Sequence, residues 1–249
     1  MLPEMDHQVS RTLEGFGNSK ITVVEWETPL LRRLGYPLAS KWDLIFLVPD
    51  NQLQEANDIA IASGLKPAQD EFPIAYLSEF AKQGSRYVYG EPKSRFMLVP
   101  LSWTGIEEDE LSTIATTDGS LPCTIWTVPL PAFCAAHLRI IVQESRGSRV
   151  RDMAIADLAG VIAYSMFDMS YEGSYMTTPE DHADDEAVDF QKHDEDDAAL
   201  AEKDALEMKD ALNTIRGWCF RKNEDWNRDT LIQLVSGKLR YEELPSNET

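Results

Sequence analysis

Residues 180–197 read EDHADDEAVDFQKHDEDD, ten acids and one lysine in eighteen positions. No other feature constrains the fold as strongly. Like charges at this density repel and leave little to bury, so the segment cannot belong to a core. The stretch 176–197 therefore reads as an acidic disordered linker that divides the 249-residue chain. It holds −9 of the formal net charge of −20, which leaves −11 on the rest. A chain this acidic is not expected to bind nucleic acid in general or an anionic membrane, because phosphate affinity needs clustered Lys and Arg. The whole chain is 27% charged and 43% hydrophobic, ample for a packed core.

Ahead of the linker the texture is mixed α/β. Lys20–Val24 (KITVV) is a β-branched run, and Leu44–Val48 (LIFLV) is continuously apolar, the pattern of a strand buried on both faces. Between them Glu27–Leu34 has helical character, with Thr28 as N-cap, Pro29 in the first turn and Gly35 as the stop. A helix over Asn51–Ser63 ends at Gly64. Arg86–Tyr89 and Arg95–Leu101 read as strands flanking a turn at Gly90–Lys93. The expected fold is α/β, or α+β, with a small mixed sheet and flanking helices over 19–110. An acidic loop at Ile106–Leu121 leads into a helical extension over 111–175, with helices at Pro131–Glu144 and Val150–Met169. After the linker, 198–249 reads as a helical segment. Within it Ala201, Ala205, Met208, Leu212, Ile215 and Cys219 fall on one face of a helix spanning Ala198–Arg221.

Cys123, Cys134 and Cys219 fit neither a disulfide framework nor a zinc motif, and buried reduced thiols are the expected state. Met1 to Ser19 carries no apolar segment of secretory type, and no apolar run reaches ~18–20 residues. A cytoplasmic protein is the expectation. His182 and His193 lie in the acidic tract at irregular spacing, and His137 lies on an apolar helix, where a satisfied core histidine is expected. Phosphate-loop, dinucleotide and serine-hydrolase motifs are absent from the sequence.

The pieces ITVVEW, GYPLAS (35–40), KWDLIFLVPDNQL (41–53) and SGLKP (63–67), with the helical pair in 130–162, resemble the small toxin-like and hypothetical microbial and fungal members of the nucleotidyltransferase-fold superfamily. The resemblance covers about 100 of the 249 residues and is a pattern of elements more than of identities. It implies metal-assisted nucleotidyl transfer from a nucleoside triphosphate, with Mg²⁺ held by two aspartates two apart on a strand and a third on a neighbouring strand. It also implies a Gly-Gly or Gly-Ser turn that lets the backbone approach the phosphates. The chain departs from that pattern at each point. Asp43 matches the first aspartate, Ile45 stands at the second, FMLVPL (96–101) has no acid, and Glu25-Trp26 stands where the small turn is expected.

The resemblance with these departures therefore implies a catalytically degenerate member, a pseudoenzyme acting as a binding or regulatory protein, with no cofactor assigned. An active metal-dependent nucleotidyl- or phosphotransferase is the alternative, with Asp43, Glu25 and Glu27 as relocated catalytic carboxylates, Asp43 as metal ligand, and Mg²⁺ with a nucleoside triphosphate as cofactors. A further alternative is an interaction protein whose acidic tract docks a basic protein partner. Arg139, Arg146, Arg149 and Arg151 form a local cationic cluster opposed only by Glu144, the candidate binding set for a phosphate or small anionic ligand.

Overall fold

The structure is a computed structural model describing residues 6–37, 43–68, 84–90, 93–114, 122–169 and 190–247. These carry a mixed α/β fold with seven strands and seven helices. The strands are β1 Val23–Trp26, β2 Leu44–Val48, β3 Lys66–Pro67, β4 Ser85–Tyr89, β5 Ser94–Pro100, β6 Ser112–Thr113 and β7 Ile125–Thr127. They form one sheet in the order β3-β4-β5-β2-β1-β7-β6. The pairs β2/β5 and β1/β7 are parallel, and the others are antiparallel.

Because side chains alternate along a strand, the register sorts the core into two layers. Val23, Phe46, Phe96, Leu98 and Ile125 pack on one face against helix α1 (His7–Asn18) and helix α3 (Leu53–Ala62). From α1 come Val9, Leu13 and Phe16, and Asp6 caps the helix by accepting from the amides of Gln8 (2.8 Å) and Val9 (3.4 Å). The opposite face carries Val24, Trp26, Ile45, Leu47, Met97 and Val99, all buried. Helix α4 (Leu130–Gln143) meets it through Phe133 and His137, which contact the Trp26 ring. Central β2 is thus covered on both sides, as its unbroken apolar run requires.

Helix α2 (Thr28–Arg33) follows β1 with Glu27, not Thr28, as its N-cap residue. Helix α5 spans Arg149–Met166, α6 Phe190–Arg216 and α7 Asp225–Val235. The chain divides into two compact units: Met1–Leu158 with Leu244–Thr249, and Ala159–Glu243. The division falls inside α5, not at the acidic tract. In the second unit, Ala211 and Ile215 of α6 and Leu231 and Leu234 of α7 are buried.

Two boundaries differ from the sequence reading. Helix α6 starts at Phe190, within the stretch 176–197 assigned to a linker. The good helix formers Ala, Leu, Glu and Lys follow from Ala198 onward, and the helix they favour extends back to Phe190. Residues 176–189 lie outside the described residues. The same helix stops at Arg216 because Gly217 ends it, short of the expected Arg221. Of its expected apolar stripe, Ala201 and Ala205 are exposed and only the part near Ile215 is covered.

Candidate functional site

The three acids named as candidate catalytic groups do not converge. Glu25 lies within β1 and is 3% exposed. Arg33, the last residue of α2, grips both of its oxygens: Nε donates to Oε1 and Nη2 to Oε2 at 3.1 Å. The Thr127 hydroxyl of β7 donates to Oε1 at 2.5 Å. This carboxylate is saturated by protein donors, the arrangement of a structural ion pair.

Asp43 immediately precedes β2. It accepts from the Arg95 guanidinium (Nη1 to Oδ2, 3.0 Å) and from the Arg95 amide at 3.3 Å. The two residues are lateral neighbours, since Leu44 pairs with Phe96 on the adjoining strands. Glu25 pairs with Phe46, three positions from Asp43, which at ~3.3 Å per residue sets the two backbones about 10 Å apart along the sheet. They cannot share a metal ion. Ile45, at the position the resemblance gives to a second acid, is buried core. Among the described residues no cluster of three or more His, Cys, Asp or Glu side chains has metal-holding geometry. The residues present do not fit a two-metal Mg²⁺ site.

The strand-to-helix turn also sits elsewhere than expected. Glu25-Trp26 continue β1, and the chain turns at Glu27, whose backbone is at φ 50°, ψ −120°. That conformation is nearly exclusive to glycine, because a Cβ collides with the flanking peptide. The sequence reading placed the turn two residues early, since ITVVEW gives no sign of where pairing stops.

The four arginines do not form one pocket either. Arg139, 7% exposed, holds Glu110 through Nη2 (2.9 Å) and Nη1 (3.3 Å), and donates to the Gly105 carbonyl at 3.0 Å. A Cβ at Gly105 would lie 3.0 Å from Arg139 Cδ, so a glycine suits this crossing as well as its φ of +66°. Arg151, 3% exposed, donates to the backbone carbonyls of Ile141, Leu244 (2.7 Å) and Pro245 (2.8 Å). Burial, then the charge of Arg146, lowers its pKa. Arg146 and Arg149 are exposed, and Arg146 reaches Ser246 Oγ at 3.3 Å. The buried pair is committed to holding the fold, which sequence proximity alone does not reveal.

A different group of residues does share a concavity. Trp26, Glu27, Trp103, His137, Met153 and Asp157 line a partly open cleft between the end of β1 and helices α4 and α5. Its interior has room for about one water molecule. His137 is 4% exposed, stacks on Trp26 (centroids 5.1 Å apart, planes at 20°) and donates through Nδ1 to the Phe133 carbonyl at 2.9 Å. A carbonyl only accepts, so Nδ1 carries the proton and Nε2 is left as an acceptor. Burial pushes the imidazole pKa down to about 4, against the smaller upward pull of the Phe133 carbonyl. The ring is neutral at physiological pH.

The sequence reading gave His137 a core role, and the structure adds that it borders a cleft. Trp26 and Trp103 come from segments 77 positions apart in a chain with six tryptophans, so nothing local signals their meeting. The strain at Glu27 has no sequence signature at all. Cys123 and Cys134 offer no nucleophile, since burial raises the pKa of Cys123 to about 11 and that of Cys134 further; Cys219 is exposed.

The described residues define a mixed α/β protein with a central sheet and helices C-terminal to it, and no helix among them is long and apolar enough to cross a membrane. Comparison with profiles of known protein families, with characterised proteins and with solved structures finds no match.

Proposed function

We propose that this is a nucleotidyltransferase-like protein that has lost transfer chemistry and works by binding. The observation that carries the reading is the separate neutralisation of its two sheet carboxylates. Glu25 is held by Arg33 and Thr127, and Asp43 by Arg95, at separate places on the sheet. Metal-assisted phosphoryl or nucleotidyl transfer needs carboxylates that converge on Mg²⁺ at ~2.1 Å. A metal here would have to displace an arginine from each acid, and the two sites would still not meet.

The cleft beside Glu27 adds to this reading. Its two carboxylates, Glu27 and Asp157, face the place where a triphosphate would have to approach the β1–α2 turn. Negative charge there repels phosphate.

Isothermal titration of the full chain with ATP, GTP, CTP and UTP, each with Mg²⁺, tests the proposal together with a labelled-nucleotide transfer assay. The expected result is no metal-dependent nucleotide binding and no transfer. Metal-dependent binding with transfer to any acceptor overturns it.

A further inference from the structure

The cleft at the β1–α2 turn combines three properties that select one ligand chemistry. The first is charge. Glu27 and Asp157 line it, and no Lys or Arg is among its described lining residues. His137 adds no positive charge, since burial keeps its imidazole neutral. The second is aromatic surface. Trp26 is buried and Trp103 half-buried at the wall, and indole is the side chain whose face attracts cations best. The third is hydrogen bonding. His137 Nδ1 is committed to the Phe133 carbonyl, so its remaining ring nitrogen accepts and cannot donate. A ligand that suits all three is a cation with N–H donors.

Size narrows the choice. Space for about one water is too little for a nucleobase, sugar or phosphate, but matches an ammonium group, whose alkyl stem would leave through the open side. Glu27, Trp103 and Asp157 already interact with neighbouring groups, so the cation would join an existing network. The strained backbone of Glu27 is a further mark of the site, because such conformations gather at binding and catalytic positions.

We propose that this cleft binds an alkylammonium group, the tip of a lysine side chain or of a free amine, against the Trp26 and Trp103 rings with Glu27 and Asp157 as counter-charges. The proposal does not require that transfer chemistry is lost, since its ligand is a cation and its main support, the cleft lining, is distinct from the Glu25 and Asp43 ion pairs.

The test uses ¹⁵N-labelled full-length protein and its indole N–H resonances, with Trp103 assigned from Trp103→Phe. Three probes are titrated at matched ionic strength: n-butylammonium chloride, Nα-acetyl-lysine methylamide, and the neutral isostere Nα-acetyl-norleucine methylamide. The expected result is a saturable shift of the Trp103 indole with a charged probe and none with norleucine. Asp157→Asn should weaken that binding about tenfold, the worth of one good charged contact. Should Asp157→Asn fail to fold, Glu27→Gln carries the same test.

Response to the lysine compound alone supports a protein partner as the source. Response to butylammonium alone supports a small amine, and response to both supports the shared chemistry. No saturation with either cation, an equal response to norleucine, or unchanged affinity in both folded carboxylate variants overturns the proposal.

Discussion

The Arg33 guanidinium holds the Glu25 carboxylate through both oxygens, tying the last turn of α2 to the strand from which it springs. Glu25 is 3% exposed, whereas the Arg33 side chain is 45% exposed. Removing Arg33 strands a buried anion, a loss worth about 3–5 kcal/mol when both partners are fully buried. Here water reaches the arginine and Thr127 remains as a donor, so about 2 kcal/mol is expected for Arg33→Ala. Glu25→Gln should cost less, because the amide keeps the Thr127 contact without a buried charge. Urea unfolding of both variants checks the ranking. An Arg33→Ala midpoint equal to wild type would show that the ion pair contributes nothing.

Glu27 offers the opposite kind of change, a stabilising one. Its φ of 50° with ψ −120° costs on the order of 1–3 kcal/mol for a residue with a Cβ. Glycine adopts this conformation freely but loses ~0.5–1 kcal/mol more backbone entropy on folding. Glu27→Gly should therefore raise stability by about 1 kcal/mol. Glu27→Ala keeps the strain and removes the same carboxylate, so it should not stabilise. Thermal melts of the pair separate the backbone effect from the charge effect.

Those two residues show what the sequence could and could not convey. Continuous apolar runs and 3.6-residue periodicity locate β2, β5 and helices α3 and α4 within a residue or two, because burial acts on consecutive positions, while α5 ends at Met166, three residues before the expected Met169. Helix α1 has no counterpart in the sequence reading, although Val9, Leu13 and Phe16 carry the i, i+4, i+7 spacing and Asp6 the cap, since its three apolar anchors are set among polar residues and glycines. The three-residue β7 depends on parallel pairing with β1 about a hundred positions away, which no local pattern encodes. The site was less legible still. Glu25 and Asp43 read as catalytic candidates because position along a strand is visible in sequence, while their partners Arg33, Thr127 and Arg95 are chosen by the sheet register. Arg139 and Arg151 are near in sequence, but one reaches the Glu110 loop and the other the C-terminal carbonyls.

His137 makes the stability of the first unit depend on pH. Its folded pKa of about 4 lies below the ordinary 6.5, so the unfolded chain binds the proton more readily. Stability from this group is complete above pH ~6.5 and is lost as pH falls toward 4. Because a pKa unit corresponds to ~1.4 kcal/mol, the full loss is about 3 kcal/mol. His137→Phe fills the same aromatic stack without a titrating nitrogen and should flatten the profile between pH 6.5 and 4 relative to wild type. Denaturation midpoints at half-unit steps of pH check this. Parallel profiles for the two proteins would mean that His137 does not titrate with unfolding.

Arg151 turns the C-terminal segment into part of the first unit. It donates to the carbonyls of Leu244 and Pro245, and Leu244 itself is completely buried. Arginine stays protonated at any accessible pH, so the downward pull of burial on its pKa is felt as a demand for these acceptors. Ending the chain after Glu243 removes two carbonyl acceptors and a buried leucine, leaving Ile141 as the carbonyl partner. The expected loss is about 3–5 kcal/mol, a buried-leucine cost joined to a poorly solvated charge. Arg151→Met removes the charge and keeps the apolar stem, and should cost about 2 kcal/mol through the abandoned carbonyls. The two changes share their contacts, so truncation in the Arg151→Met background should be less damaging than in wild type by ~1 kcal/mol or more. A double-mutant cycle from urea melts measures that coupling. Additive losses would show that Arg151 and the C-terminal carbonyls stabilise the unit independently.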